Sequence, residues 1–393
     1  MAVTFEFATA TRIVFGAGTA SSAGEIVRGL GGRALLVTPA GTAAGERVRS
    51  ALDGAGVDLL PLAVSGEPTV AAIVEGTAAA RDAGVDVVVG CGGGSVVDTA
   101  KAIAAMLGND DDLVDHLEVI GAGLPLRKPP LPWVAIPTTA GTGSEVTRNA
   151  VLASPEHHVK VSLRSPLMLA RVALVDPELT HSLPPGMTAS SGLDALTQLV
   201  EPFTSRRANP LVDALCRDGI RRASRSLMTA WEASHTGEPG ADGRRAREDM
   251  SLAALFGGLA LANAGLGAAH GFAAPIGGAF PAPHGAVCGR LLPPVIDVNV
   301  RALRARDPES SALERYDEVG RIVTGRADAT AADAVRWATN LVDALDVPGL
   351  GSYGLGISDV PDLVTRAAEA SSMKANPIAL TPEELVEILE RAL

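Results

Sequence analysis

The sequence has few cysteines, no basic run and no long apolar segment. Its three cysteines, Cys91, Cys216 and Cys288, are far apart and form no CxxC pair, which argues against a disulfide framework or a thiolate zinc motif. The formal net charge is −12, so we expect no nucleic-acid partner. No apolar run reaches the roughly 18 to 20 residues of a membrane span, and the most apolar stretch, 252–269, is interrupted by glycines and Asn263. We therefore expect no membrane partner.

The N-terminal segment 1–16 lacks a basic region followed by an apolar one. This absence argues against a signal peptide. The alternation of apolar and polar residues predicts a strand instead. Without a signal peptide or paired cysteines, we expect the protein in the cytoplasm.

Short apolar runs alternate with helical patterns through the first half of the chain. The strand-like runs are 34–40, 57–64, 85–94 and 131–139, and the helical patterns between them are 44–56, 69–83 and 95–107. This alternation predicts a mainly parallel sheet covered on both faces, which binds ligands beyond the carboxyl ends of its strands. After about Pro184 the strand-like runs give way to Ala/Leu/Arg-rich helical patterns. We therefore predict an α/β domain over 1–185 and an all-α domain over 186–393.

Two loops follow predicted strands and carry small or hydroxylated residues. The first is Gly92-Gly93-Gly94-Ser95, which runs into a helix that contains Asp98. Glycines let the backbone approach a pyrophosphate, and the helix N-terminus offers free N–H groups. The second loop is 137–145, PTTAGTGSE. Each loop alone is also compatible with an ordinary turn, and neither is a GxGxxG fingerprint or a P-loop. Together they favour a phosphate-binding site.

Asp194 and Gln198 are four residues apart in SSGLDALTQ, which looks like a capped helix start. They share a helical face. Downstream, His270 and His284 lie in Gly/Pro-rich breaks of the helical pattern. One carboxylate and two imidazoles suit Fe²⁺ or Zn²⁺, although each histidine alone is also compatible with a structural role. We interpret Cys288 as a small packing residue rather than a redox thiol.

In combination, GGGSVVDTAK, PTTAGTGSEVT, SGLDALTQ and the AHG…PHG pair resemble the iron-containing alcohol dehydrogenase family of the dehydroquinate synthase-like superfamily. The resemblance extends over essentially the whole chain. It implies a dinucleotide-binding α/β domain, an all-α domain, a cofactor and metal that meet in the cleft between them, and a homodimer paired through the N-terminal strand. By this resemblance the cofactor contacts are Gly93, Gly94, Ser95, Asp98, Thr138, Thr139, Thr142, Lys160 and Leu179. The metal ligands are Asp194, Gln198, His270 and His284.

Three positions depart from the family pattern. Gln198 stands where members usually carry His, and a carboxamide oxygen is a weaker ligand for Fe²⁺ or Zn²⁺ than an imidazole. Ala274 stands where many members carry a second His suited to proton delivery. Pro39 stands where the family often has an Asp that reads the ribose 2′-hydroxyl. Loss of that carboxylate removes a repulsion against a 2′-phosphate, so NADP as well as NAD is expected.

The predicted function is hydride transfer between NAD(P)H and an aldehyde or alcohol, with the metal as Lewis acid. In this scheme Asp194, His270 and His284 are the catalytic residues that hold the ion. One alternative is a metal-independent, maleylacetate reductase-like enzyme that reduces an unsaturated oxoacid. Two others are a dehydroquinate synthase-type lyase, which would recycle its cofactor, and a non-catalytic cofactor-binding relative.

Overall fold

The structure is a computed structural model that describes residues 4–157, 159–237 and 239–393. Within these residues the strands are β1 Arg12–Phe15, β2 Arg33–Thr38, β3 Asp58–Ala63, β4 Val87–Gly92, β5 Trp133–Pro137, β6 Asn149–Ser154, β7 Val159–Arg164 and β8 Val172–Val175. The α-helices are α1 Ala23–Arg28, α2 Ala43–Gly54, α3 Val70–Asp82, α4 Gly94–Gly108, α5 Leu113–His116, α6 Pro185–Thr204, α7 Pro210–Ala233, α8 Ala241–Ala264, α9 Ala268–Ala279, α10 His284–Arg306, α11 Ser311–Thr324, α12 Ala331–Ala344, α13 Val360–Glu369 and α14 Pro382–Glu390.

Six strands form one parallel sheet in the order β1-β8-β5-β4-β2-β3. The central strands β4 and β5 are buried at every residue and pair with Val88 opposite Trp133. Uninterrupted burial of this kind is expected where helices cover both faces of a parallel sheet. The predicted α/β class with a mainly parallel sheet is therefore confirmed.

The chain leaves the neighbouring strands β2 and β4 in opposite directions across the sheet. β2 is followed by its outer neighbour β3, whereas β4 is followed by β5 on its other side. Doubly wound sheets bind ligands beyond the carboxyl ends of strands at such a switch point. At these ends Pro39 follows β2 and Gly93 follows β4.

Two features of the α/β half differ from the sequence interpretation. The predicted N-terminal strand begins only at Arg12, because residues 4–10 have no regular secondary structure; residues 1–3 lie outside the described part of the chain. The sequence also did not predict the antiparallel hairpin of β6 and β7, in which Ala153 lies opposite Lys160. The short 3₁₀ helix Pro155–His157 precedes β7.

The C-terminal part of the chain is helical, as predicted. α6 packs against α7, α8 and α10, and its Leu193, Leu199 and Phe203 belong to a large apolar core. A second core, which includes Phe272 and Leu291, joins α9 and α10 to α13 and α14. These two cores fix the helices that carry the polar cluster described below.

α6 begins at Pro185, not at the serines before Asp194, so that part of the sequence interpretation was wrong. Proline is favourable in the first turn because no intrahelical acceptor exists for an N–H there. As a result Asp194 and Gln198 lie in the middle of the helix, and both are buried.

By their contacts the described residues group into two units. One consists of Thr9–Thr139 and Gly143–His181; the other consists of Ser182–Leu393, Ala140–Thr142 and the described residues up to Ala8. The domain division at residues 185 and 186 stays a prediction.

In the described part of the chain no single helix has the length and hydropathy to cross a membrane; α8 and α9 pass that test only as a pair, bent by 100° at their break.

Candidate active site

The glycine-rich turn joins β4 directly to α4. Gly93 is the N-cap of α4, and Gly94 and Ser95 lie in its first turn. Space is limited here, since a Cβ on Gly92 would lie 2.6 Å from Val96 and a Cβ on Gly93 would lie 3.3 Å from Thr139 Cγ2. A strand end, a glycine N-cap and the free N–H groups of a helix N-terminus form the arrangement that binds phosphates.

The second loop begins beside the first, because β4 and β5 are paired neighbours. Gly92 lies opposite Pro137 in the sheet, and the Thr138 backbone N–H donates to the Gly92 carbonyl at 3.0 Å. Thr139 lies against Gly93. The structure thus brings Thr138 and Thr139 to the glycine turn. Thr142 belongs to the segment Ala140–Thr142, which groups with the helical unit.

Asp98 has its carboxylate occupied by protein donors. Its Oδ2 accepts from the Val151 backbone N–H at 2.9 Å, and its Oδ1 accepts from the Ser144 hydroxyl and, at 3.4 Å, from Lys101 Nζ. Lys101 is fully buried and donates further to Ser144 Oγ and Thr147 Oγ1, both at 2.9 Å. Asp98 therefore anchors the hairpin and the second loop to α4, and its contact with a cofactor stays a prediction.

The remaining predicted cofactor residues lie in the same unit. Lys160, in β7, forms an ion pair with Glu67. Leu179 is buried in the 3₁₀ helix Pro177–Thr180 and belongs to the core cluster that contains Val89 and Ile136. Their role in cofactor binding stays a prediction.

Three of the four predicted metal ligands converge on one point. Asp194 comes from the middle of α6, His270 from the first turn of α9, and His284 is the first residue of α10. Asp194 Oδ1 lies 3.3 Å from His270 Nε2 and 3.7 Å from His284 Nε2. The two histidines therefore occupy helix starts rather than irregular breaks. Asp194 and His270 are buried, whereas the His284 side chain is 45% exposed.

Cys288 joins this cluster, which the sequence interpretation missed. It lies one turn after His284 in α10, is fully buried, and its Sγ is 3.7 Å from His284 Nε2. One ligand atom each from Asp194, His270, His284 and Cys288 lies within 4.8 Å of the others. The spacing of four residues between His284 and Cys288 predicts that their side chains are neighbours if both lie on one helix. That prediction could be made only with the knowledge that α10 begins at His284.

Gln198, the fourth predicted ligand, is buried one turn after Asp194. Its Nε2 donates to the Gly141 carbonyl at 3.2 Å. Its side chain also hydrogen-bonds Asp194, which favours the ionised carboxylate and lowers its pKa. Gln198 thus lies beside the cluster and braces Asp194.

Glu201 is a second residue that the sequence interpretation missed. Its Oε2 lies 2.6 Å from His270 Nδ1 and accepts from the Gly267 backbone N–H at 2.9 Å, while its Oε1 accepts from the Ala269 N–H at 2.7 Å. The carboxylate therefore caps α9 and holds the His270 ring. A carboxylate on the far nitrogen of a ligating histidine fixes its tautomer and raises its basicity.

The cluster combines negative groups with imidazoles. Burial would raise the pKa of Asp194, but His284 and His270 beside it hold that pKa below its usual value. Burial would lower the pKa of His270, but Cys288, Asp194 and Glu201 hold it well above its usual value. Burial also opposes ionisation of Cys288, yet both histidines lower the pKa of the thiol. Each group is stabilised in its charged form by the others.

This donor set fits a divalent transition metal. Carboxylate, imidazole and thiolate are all ligands of Zn²⁺, and bond lengths of about 2.0–2.3 Å place neighbouring donors of a tetrahedral ion about 3–4 Å apart. The three distances given above, 3.3, 3.7 and 3.7 Å, fall in that range.

The comparisons with known proteins agree with this fold. Residues 10–177 match the family model "Iron-containing alcohol dehydrogenase", and residues 188–393 match "Fe-containing alcohol dehydrogenase family, C-terminal". The chain belongs to the iron-containing alcohol dehydrogenase family. The predicted family, fold and class of enzyme are therefore confirmed.

Individual relatives are similar over nearly their whole length. The 1,3-propanediol dehydrogenase of Klebsiella pneumoniae is 34% identical over 388 residues, which cover 96% of each chain. The crystal structure of a 1,3-propanediol oxidoreductase superposes with a TM-score of 0.89 at 31% identity over 100% of both chains. A sulfoacetaldehyde reductase from Bifidobacterium kashiwanohense, solved in complex with NAD⁺, has a TM-score of 0.85 at 27% identity and covers 100% of this chain and 99% of that one. These relatives favour aldehyde or alcohol oxidoreduction over the metal-independent oxoacid alternative.

Proposed function

We propose that the chain interconverts a small primary alcohol and its aldehyde by hydride transfer to or from NAD(P), with a divalent metal in the Asp194–His270–His284 cluster. The observation that carries this proposal is the convergence of these three side chains from three separate helices. It is supported by relatives that act on propanediol and by one solved with NAD⁺.

The α/β unit supplies the cofactor contacts in this proposal. The N–H groups of Gly94 and Ser95 at the start of α4 bind the pyrophosphate, and Gly93 keeps the turn free of side chains. Thr138 and Thr139, beside that turn, position the cofactor, which is the main contribution of such residues to hydride transfer. Asp98, Thr142, Lys160 and Leu179 complete the predicted contacts.

The metal is held by Asp194, His270 and His284, and when bound it supplies a Lewis acid for the carbonyl oxygen of the substrate. Glu201 fixes the His270 ring, and Gln198 braces Asp194. The exposed side chain of His284 leaves the cluster open on one side. Ala274 is also exposed and carries no titratable group, so water is the proton source in this scheme.

The cofactor preference follows from the end of β2. Pro39 has no charge to repel a 2′-phosphate, so we include both NAD and NADP in the proposal.

The homodimer and the cytoplasmic location predicted from the sequence are also part of the proposal. The mass of the native protein by light scattering tests the homodimer.

Metal content and chelator sensitivity test the function. Protein purified without chelator is analysed for iron and zinc, and NADH and NADPH oxidation with short aldehydes is measured before and after chelation. We expect near-stoichiometric metal and turnover that chelation abolishes and metal restores. Asp194→Ala should lose the bound metal and the turnover. Asp307→Ala, at an exposed helix end, should retain the metal and the turnover. Turnover that persists in metal-free protein would contradict the proposal and point to oxoacid substrates.

A further inference from the structure

Cys288 belongs to the second apolar core, and its sulfur also faces the polar cluster. It follows His284 by four residues on the same helix, so both side chains lie on one face of α10. Its side chain is fully buried, and its Sγ lies within 4.8 Å of donor atoms from Asp194, His270 and His284. A sulfur atom beside three metal ligands is itself within reach of the ion that they hold.

Gln198 offers only a neutral carboxamide in place of the missing imidazole, and a carboxamide oxygen is the weaker ligand for Fe²⁺ or Zn²⁺. Its amide nitrogen faces the Gly141 carbonyl, and its side chain hydrogen-bonds Asp194. Space around it is limited, since a Cβ on Gly257 would lie 3.3 Å from the Gln198 Cβ. The site therefore has three family-type donors and, on its α10 side, an additional sulfur.

We propose that the Cys288 thiolate is a metal ligand of this site and gives it a preference for Zn²⁺ over Fe²⁺. This inference rests on the proposed function, because it concerns the same metal site. The donor set is then one carboxylate, two imidazoles and one thiolate, all of which Zn²⁺ accepts at its usual coordination number of four.

The metal preference follows from the chemistry of sulfur. Thiolates are soft ligands that favour zinc over harder ions, and Zn²⁺ already stands above Fe²⁺ in the general order of affinities. An imidazole at position 198 would be comparably suited to both metals. Exchange of an imidazole on α6 for a thiolate on α10 thus keeps the number of donors and changes the selected ion.

Spectroscopy of the wild-type protein tests the ligand directly. Full-length protein is stripped with chelator and loaded with Co²⁺, whose complexes with thiolates absorb in the near ultraviolet by charge transfer from sulfur. X-ray absorption of the Zn²⁺ form is the second measurement, and one sulfur at about 2.3 Å is expected. Both signals report on the metal shell without any assay of turnover, and neither depends on a variant that folds.

Substitution identifies which sulfur is bound. Cys288→Ser should abolish the charge-transfer band and lower Zn²⁺ affinity by about 100-fold or more, because loss of an outer-shell partner alone costs about 10- to 100-fold; the loss for Fe²⁺ should be smaller. Cys216→Ala is the matched control, because Cys216 is equally buried but belongs to the other core; it should leave band and affinities unchanged.

The outcomes separate this inference from the proposed function. A sulfur signal that disappears only in Cys288→Ser supports the inference. Bound metal without a sulfur signal, with the same Zn²⁺ affinity in wild type and Cys288→Ser, overturns it. In that case loss of metal in Asp194→Ala would leave the proposed function intact. If the wild type binds neither ion and still turns over, the proposed function itself fails.

Discussion

Nδ1 of His270 lies 2.6 Å from Oε2 of Glu201, 69 residues earlier in the chain. The same carboxylate accepts two backbone N–H groups at the start of α9. One side chain therefore fixes both the helix that carries His270 and the rotation of its ring.

Glu201→Gln should lower metal affinity about 10- to 100-fold, as expected when an outer-shell carboxylate is removed from a ligating histidine. The amide keeps the shape of the side chain but loses the charge that orients the imidazole. Competition titration with a chromophoric chelator measures the Zn²⁺ affinity. Glu309→Gln, on the exposed surface, is the control. Equal affinities of the two variants would show that Glu201 only caps α9.

Pro39→Asp should raise the ratio of kcat/KM for NADH to that for NADPH by about tenfold or more. The carboxylate at the end of β2 would accept the ribose 2′-hydroxyl and repel a 2′-phosphate. Steady-state kinetics with both cofactors measures the ratio. Pro39→Asn offers a similar shape without the charge, so a shift of the same size in that variant would refute the electrostatic explanation.

Lys101→Met should destabilise the chain by about 3–5 kcal/mol, because it leaves the buried Glu145 and the partly buried Asp98 without their cation. Lys101 is fully buried and reaches four acceptors. Lys128→Met removes an exposed ion pair with Asp110, for which little change in stability is expected because water and salt screen such pairs. Urea unfolding measures the free energy of unfolding of both variants. Similar losses of stability in Lys101→Met and Lys128→Met would argue against the role of the buried cation.

Glu145 should give stability a pH dependence of its own. Burial raises the pKa of Glu145 from 4.5 to about 7, although Lys101 opposes this rise. Between about pH 4.5 and 7 the folded chain keeps a proton that the unfolded chain has released. The free energy of unfolding therefore falls as the pH rises through this window and levels off above it.

Glu145→Gln removes this contribution. We expect the difference in unfolding free energy, wild type minus variant, to fall by roughly 3 kcal/mol between pH 4.5 and pH 8. Urea unfolding at a series of pH values measures it. For Glu75→Gln, at an exposed position of α3, this difference should not change with pH. If the difference for Glu145→Gln does not change with pH either, the Glu145 carboxyl has an ordinary pKa.

The sheet and the glycine turn were predictable because their signals are local. The run Val87–Gly92 is apolar and β-branched and ends in glycines, which defines both a buried strand and the turn into α4. The hairpin β6–β7 was not predicted, because its strands mix exposed and buried positions and flank a polar turn.

The metal cluster was predictable only in the part that the family motifs mark. Asp194, His270 and His284 stand in such motifs, whereas Cys288 stands in none of them and was assigned to packing as a small residue. Glu201 lies about two helical turns after Asp194 on α6, but its partner on α9 is distant in sequence. Contacts of this kind depend on how helices pack, which spacing within one segment does not reveal.

The helices that carry the cluster are held in place by apolar cores and not by the ligands themselves. α6 is anchored by residues such as Leu199 and Phe203, and α9 and α10 by residues such as Phe272 and Leu291. We therefore expect the chain to fold without an ion, unlike small domains whose folding is driven by zinc. An ion would then enter from the side where His284 is exposed. The choice of ion would accordingly be made after folding, by ligand chemistry and by the metals that the cell supplies.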